Sequence, residues 1–141
     1  MNILFLCHQL TGGGAERVCA DVANGLSRLG HKVAIMMDTS IAIVYPVLPD
    51  VQIYSCPERK GNSWIMYRIK IFWKILEVLK KYKPDVIVSI LYFHATLAKL
   101  ASMLVHKCPV IVSDHNSFDS PAAAYLCNQR FFFRSPGGDW R

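Results

Sequence analysis

The chain has 141 residues, of which 52% are hydrophobic and 18% charged, so it has the size and composition of one folded domain and not of a disordered segment. The formal net charge is +6, and the five cysteines lack the paired spacing of zinc or redox motifs. No apolar run reaches the roughly 18 residues of a membrane span, and no basic segment precedes the apolar N-terminus. We therefore expect a cytoplasmic protein with neither a signal peptide nor a spanning helix.

The first part of the chain predicts a strand, a glycine loop, a helix and a second strand. Residues 3–7 are continuously apolar, as in a strand covered on both faces. Three glycines follow, and residues 15–29 then have an amphipathic helical pattern that Gly30 ends. Residues 33–37 predict a second buried strand, which stops at Asp38. The helix is expected to bury one stripe of apolar side chains: Val18, Val22, Leu26 and Leu29.

The same alternation continues through the rest of the chain to about residue 113. Residues 51–54 predict a short strand, 63–82 a second helix, 86–91 a strand, 95–106 a third helix and 110–113 a further strand. The main buried stripe expected on the second helix is Ile65, Ile69, Phe72, Leu76 and Leu79. A wider arc beside it comprises Trp64, Tyr67, Ile71, Ile75 and Val78. Alternating strands and helices predict an α/β fold, a Rossmann-like parallel sheet with helices on both faces.

The glycine loop between the first strand and the first helix is a candidate phosphate site. Gly12, Gly13 and Gly14 let the backbone approach a ligand closely, and the following helix presents free N–H groups and the positive end of its dipole. Arg17 lies one turn further and is a candidate phosphate ligand. A tight turn that binds nothing is the alternative. A dinucleotide-binding loop is a second alternative, because Asp38 stands where a ribose-binding acid would lie. Against it, Arg17 occupies the position of the third glycine in the G-x-G-x-x-G fingerprint.

Five segments in order resemble the retaining glycosyltransferases of family 4. These segments are residues 12–18 (GGGAERV), 29–33 (LGHKV), 83–89 (KPDVIVS), 94–95 (HA) and 109–116 (PVIVSDHN). The resemblance implies the N-terminal half of a GT-B fold, in which two Rossmann-like domains enclose a cleft. It further implies that this half mainly holds the acceptor, that the other half holds the nucleotide-sugar donor, and that no metal or bound cofactor takes part.

The resemblance covers about residues 1–120, which we expect to form the acceptor-side domain. Residues 121–141 have no period and are expected to be an irregular tail or the remnant of a longer chain. The E-x7-E carboxylate pair of the family's donor-binding domain is missing, because no two of Glu16, Glu58 and Glu77 have that spacing. We therefore expect the 141-residue chain to be inactive by itself.

Two histidines are expected at the carboxyl edge of the predicted sheet, where open parallel sheets bind ligands. His94 follows the strand at 86–91. The resemblance implies that it is catalytic and positions the transferred sugar. His115 follows the strand at 110–113 and is a candidate to bind acceptor or donor groups, beside Asp114, which is expected to cap a turn. Packing or capping is the alternative role for both histidines. His8, after the first strand, is a weaker candidate at the same cleft.

The second predicted helix combines aromatic and basic residues. Between residues 62 and 84 there are six basic side chains and one acidic one, together with two tryptophans. Such a helix suits an anionic membrane surface, and a solvated helix face is the alternative. Nucleic acid is not expected as a partner, because no helix-turn-helix or RNA-binding signature is present. Three classes remain: a glycosyltransferase domain, a dinucleotide-binding oxidoreductase domain and a non-catalytic binding module.

Overall fold

The computed structural model describes residues 1–58, 61, 63–90 and 94–113. Within them, five strands alternate with three helices, as the sequence predicts. In chain order they are β1 (Asn2–Leu6), α1 (Gly14–Arg28), β2 (Lys32–Met37), β3 (Gln52–Ser55), α2 (Trp64–Tyr82), β4 (Val86–Ile90), α3 (Ala95–Val105) and β5 (Val110–Ser113). The tail predicted at 121–141 lies outside the described residues.

The five strands form one parallel sheet in the order β3-β2-β1-β4-β5. In the centre, Ile3 of β1 stands opposite Val33 of β2 on one side and Val86 of β4 on the other. The chain leaves β1 toward β2 and β3 and then crosses back to β4, so the strand order reverses between β1 and β4. Such a reversal opens a crevice at the carboxyl ends of the two strands, where open α/β sheets bind ligands.

Helices cover both faces of the sheet, which confirms the predicted fold class. Side chains of β1 alternate between the faces: Leu4 and Leu6 pack in one core with α2 and α3, while Ile3 and Phe5 pack in a second core with α1. The α1 layer and the α2–α3 layer therefore lie on opposite sides of the sheet. Cys7, Cys19, Cys56 and Cys108 are buried free thiols that pack as small core residues.

The stripe predicted to be buried on α1 is wrong at three of its four residues, while the fourth, Leu26, is partly buried against the core. Val18 and Val22 are 40% and 44% exposed and Leu29 is 75% exposed, whereas the buried side chains are Cys19, Ala20 and Ala23. Small residues let the helix approach the sheet closely, and this close approach turns the branched side chains outward. The end of α1 is as predicted, because Gly30 takes the left-handed conformation with φ of +83°.

The buried stripe of α2 is also different from the main one predicted. In the main stripe, Ile65 and Ile69 are exposed, whereas Leu76 and Leu79 are buried as predicted. The wider arc supplies the other four of the six buried side chains. The side chains that α2 buries are Tyr67, Ile71, Ile75, Leu76, Val78 and Leu79. The helix is apolar almost all round in its first three turns, so periodicity alone could not determine which arc faces inward. Lys83, just before Pro84, ends the helix in the left-handed conformation with φ of +48°.

Candidate functional site

The candidate site lies at the carboxyl edge of the sheet, at the reversal between β1 and β4. Cys7, His8 and the glycine loop follow the end of β1, and α1 starts at Gly14. On the neighbouring side of the crevice, β4 ends at Ile90 and His94 is the residue before α3. The fold therefore brings together the loop and the histidine that the sequence singled out. His115 and Asp114 lie outside the described residues.

The glycine loop makes a tight entry into α1. The N–H of Gly13 donates to the carbonyl of Thr11 at 2.9 Å, and the Gly13 carbonyl accepts the first helical hydrogen bond from Arg17 at 3.1 Å. A Cβ atom at Gly12 or Gly14 would meet open space, whereas one at Gly13 would overlap the carboxylate of Glu16. Glu16 thus folds back over Gly13, where the positive end of the helix dipole favours a carboxylate. An anionic ligand at this turn would require Glu16 to move aside.

Arg17 lies on the exposed side of α1. Its side chain is 71% exposed, and its Nε atom is 3.7 Å from the Asp21 carboxylate one turn later. An exposed pair of this kind adds little to stability, so Arg17 can turn toward a ligand at small cost. Its role as a phosphate ligand stays a prediction.

His94 and His8 form a pair at the centre of the site. Their ring centroids are 6.5 Å apart, with His8 exposed and His94 only 4% exposed. Burial lowers the pKa of His94 to about 4, and the charges of His8 and Arg68 act in the same direction. His94 is therefore uncharged at neutral pH, and a neutral imidazole offers one donor and one acceptor nitrogen.

The pairing changes the relative importance of the two histidines. The sequence favoured His94 as the cleft residue, but of the two it is His8 that is open to solvent. The sequence signal for His8 was its position just after the first strand, as His94 comes after β4. In the sheet, β4 is the neighbour of β1. Only the strand order makes these two places adjacent.

Asp38, the residue that motivated the dinucleotide alternative, has a local structural role. Its side chain is buried, and Oδ1 accepts hydrogen bonds from the Ser40 N–H at 2.9 Å and the Ser40 hydroxyl at 2.6 Å. The carboxylate thus closes the turn after β2. Within the part of the chain that the structure describes, no three His, Cys, Asp or Glu side chains are grouped as a metal site would require.

Comparisons with known proteins point to one family. Residues 12–139 match Glycosyltransferase Family 4. The chain is 30% identical over 120 residues to a GalNAc-α-(1→4)-GalNAc-α-(1→3)-diNAcBac-PP-undecaprenol α-1,4-N-acetyl-D-galactosaminyltransferase of Campylobacter jejuni. That alignment covers 83% of this chain and 33% of the relative, so the chain spans about a third of the relative's length.

Solved structures with the same fold include two glycosyltransferases. The apo form of the lipopolysaccharide outer core galactosyltransferase WaaB superposes with a TM-score of 0.69 at 19% identity, over 84% of this chain and 34% of WaaB. MurG of Acinetobacter baumannii gives a TM-score of 0.61 at 19% identity, over 90% of this chain and 38% of MurG. At this identity the two structures support the fold, the Rossmann-like half of a GT-B enzyme. Since the family match covers most of the residues, the chain belongs to glycosyltransferase family 4.

Proposed function

We propose that this chain is the acceptor-side domain of a retaining glycosyltransferase. Such an enzyme transfers a sugar from a nucleotide-sugar to an envelope, lipid-linked or polysaccharide acceptor. The observation that carries the proposal is the convergence of the glycine loop, His8 and His94 at the reversal between β1 and β4. The nucleotide-sugar is a substrate here, and no resident metal or cofactor is part of the proposal.

Each group at the site has a role that its chemistry suits. The loop at Gly12 to Gly14 allows a sugar or phosphate to lie close to the backbone at the start of α1. His94 is neutral and fixed by burial, so it positions the reacting sugar through one ring nitrogen, and His8 supplies an exposed hydrogen-bonding group beside it. Arg17 and His115 are proposed to bind phosphate or acceptor groups.

The Campylobacter relative suggests the class of acceptor. Its name describes an acceptor glycan joined through a diphosphate to undecaprenol. We propose a lipid-linked acceptor of that class for this chain as well. An apolar lipid tail requires the enzyme to work at a bilayer, which agrees with the basic helix described below.

The test fuses this chain to the donor-binding half of a family 4 enzyme and measures sugar transfer to an undecaprenyl-diphosphate glycan. We expect transfer that falls by about 100-fold in His94→Ala, within the range typical of one catalytic side chain. His31→Ala, in the turn after α1, is the matched control and should keep full activity. Binding of NAD(H) by the chain, with no turnover of any nucleotide-sugar by the fusion, would favour the oxidoreductase alternative instead.

A second proposal concerns place: the domain sits on the cytoplasmic face of an anionic membrane through α2. Lys70, Lys80 and Lys81 are exposed on this helix. The Lys74 ammonium is 3.0 Å from both carboxylate oxygens of Glu77. Three or four usable charges at about 1 kcal/mol each give a weak attachment that salt screens. None of the described helices is long and apolar enough to cross a bilayer.

Cosedimentation with anionic vesicles tests this electrostatic contact. At low salt, charge reversal in Lys70→Glu should reduce binding more than reversal in Lys32→Glu, because Lys32 is at the start of β2 and not on α2. Lys74→Glu should have less effect than Lys81→Glu, because Glu77 already compensates the Lys74 charge. Equal binding to neutral and anionic vesicles at low salt would contradict the proposal.

A further inference from the structure

We infer that the connection between β2 and β3 forms an apolar subsite of the candidate site, and that this subsite recognises the acyl group of an acylamino sugar in the acceptor. The connection, called the β2–β3 loop, comprises residues 38–51 and contains no helix. Long loops without secondary structure of their own are uncommon in compact domains and are often functional. The inference rests on the proposed function and adds to it the chemical class of the acceptor sugar.

Hydrogen bonds hold the β2–β3 loop beside the segment that leads from β1 into the glycine loop. At the start of the β2–β3 loop, the Asp38 N–H donates to the His8 carbonyl at 3.0 Å. Further along, the Val44 N–H donates to the Leu10 carbonyl at 2.9 Å. Leu10 is two residues before Gly12 in the sequence. The β2–β3 loop therefore borders the candidate site on its β2 side.

One amide side chain fixes the second half of the β2–β3 loop to α1. The Asn24 Nδ2 group donates to the Pro46 carbonyl, and Oδ1 accepts from the Leu48 N–H, each at 2.9 Å. The side chains of Tyr45, Val47 and Leu48 are partly buried against the core on the α1 side of the sheet. The loop is thus held in place before a ligand binds, which lowers the entropy cost of recognition.

The exposed part of the β2–β3 loop is apolar and uncharged. Ile43 and Val44 are 43% and 62% exposed, and residues 39–49 contain no Asp, Glu, Lys, Arg or His. Branched aliphatic side chains do not hydrogen-bond a sugar hydroxyl, and a segment without basic side chains is a poor partner for a phosphate or a carboxylate. An apolar group of the ligand is therefore the complement of this surface.

The position of this surface decides between the two apolar groups of a lipid-linked acylamino glycan. The lipid is separated from the sugars by a diphosphate, whereas an acyl methyl group belongs to the reacting sugar itself. Ile43 and Val44 lie in the loop that is bonded to His8 and Leu10, where the reacting sugar is proposed to bind. Two aliphatic side chains also suit the area of one methyl group better than that of an isoprenoid chain. The expected occupant is the acetyl methyl group of an N-acetylhexosamine.

Transfer by the fusion described above tests the subsite with two acceptors that differ in one substituent. They are undecaprenyl-diphosphate glycans that end in N-acetylgalactosamine or in galactose, which has a hydroxyl in place of the acetamido group. We expect kcat/KM to favour the acetamido acceptor by about tenfold, within reach of one small apolar group. Ile43→Ser and Val44→Ser should each lower this preference by about fivefold through a higher KM for the acetamido acceptor, with kcat unchanged.

Ile53→Ser is the matched control, because Ile53 is 40% exposed and lies in β3 instead of the loop. It should keep the preference, and thermal melting should show that every variant is folded. Asn24→Ala removes both side-chain hydrogen bonds to the loop. If Asn24 is a positioning residue, this variant should also lower the preference, a ratio that a general loss of stability does not change.

Saturation-transfer NMR tests the subsite on the 141-residue chain without a donor-binding half. With N-acetylgalactosamine in excess, saturation should reach the acetyl methyl protons more strongly than the ring protons. Ile43→Ser should remove most of this difference, whereas Ile53→Ser should keep it. Galactose, which lacks the acetyl group, should receive little saturation.

Equal kcat/KM for the two acceptors would overturn the inference and leave the proposed function in place. A preference that persists in both loop variants would also overturn it, because the acyl group would then be recognised elsewhere. The same holds if Ile53→Ser loses the preference as Ile43→Ser does. Absence of transfer to either acceptor would contradict the proposed function. In that case the NMR measurement decides the subsite separately: saturation of the acetyl methyl group supports it, and absence of saturation overturns it.

Discussion

At the scale of single residues, the candidate site contains a histidine that the fold keeps uncharged. His94 is buried beside His8, and burial is the main reason that its pKa lies near 4. A neutral side chain can hold a sugar hydroxyl without attracting a counterion into the crevice. The same burial has a consequence for folding that can be measured without any substrate.

His94 should make the protein less stable in acid. The unfolded chain takes up a proton at the ordinary histidine pKa of 6.5, whereas the folded chain resists protonation until about pH 4. Stability from this group is therefore complete above pH 6.5 and is lost as the pH falls toward 4, by about 3 kcal/mol at most. Denaturant unfolding at several pH values between 6.5 and 4 should show this fall in the free energy of unfolding. The fall should be smaller in His94→Gln. An identical pH slope in His94→Gln and in the control His31→Gln would contradict the prediction.

Gly13 should be required for activity more than for folding. Its φ of −91° is open to any residue, so the glycine is not needed for backbone conformation. A side chain there would displace the flexible Glu16 carboxylate and fill the space over the first turn of α1. We expect Gly13→Val to change the melting temperature of this chain by only a few degrees and to lower transfer strongly in a family 4 enzyme with the same loop. Gly12→Ala, whose Cβ meets open space, is the control, and unchanged transfer in Gly13→Val would refute the role of the loop.

At the scale of elements, α2 shows how one helix can have two different apolar arcs. The arc through Ile71 packs on the sheet with no exposure, while the arc through Ile69 is 45% exposed. Ile71→Ala should therefore lower the free energy of unfolding by about 2–5 kcal/mol through lost burial and a cavity. Ile69→Ala, the same change two residues earlier, should cost less than about 1 kcal/mol. If chemical denaturation gave similar losses of unfolding free energy for the two variants, the buried arc would have been assigned wrongly.

At the scale of the whole molecule, the described sheet forms one wall of a crevice. In the family fold that the sequence resembles, the donor lies against a second domain, and this chain spans about a third of its Campylobacter relative. We expect the purified 141-residue chain to show no transfer, because it cannot orient two substrates, and orientation can supply roughly 7–11 kcal/mol of a barrier. Adding the donor-binding half of a family 4 enzyme in trans is the companion measurement. Turnover of any nucleotide-sugar by the chain alone would show this expectation to be wrong.

The sequence by itself determined the elements and the family. Continuous apolar runs such as residues 33–37, the glycine loop and Pro84 mark strands, a turn and a helix end through local backbone chemistry, which does not depend on distant parts of the chain. The motifs around Gly12 to Gly14 and His94 were sufficient to recognise glycosyltransferase family 4, as the family match confirms.

Tertiary structure alone decided which faces are buried and which site residues meet. On α1, Ala20 and Ala23 face the sheet because small side chains permit close packing, a choice that the apolar spacing of Val18 and Val22 cannot reveal. His8 and His94 are 86 positions apart in sequence, and they meet because β1 and β4 are neighbours in the sheet. Strand order depends on contacts between distant segments, so a pattern read along the chain places each residue on an element but not beside its partner.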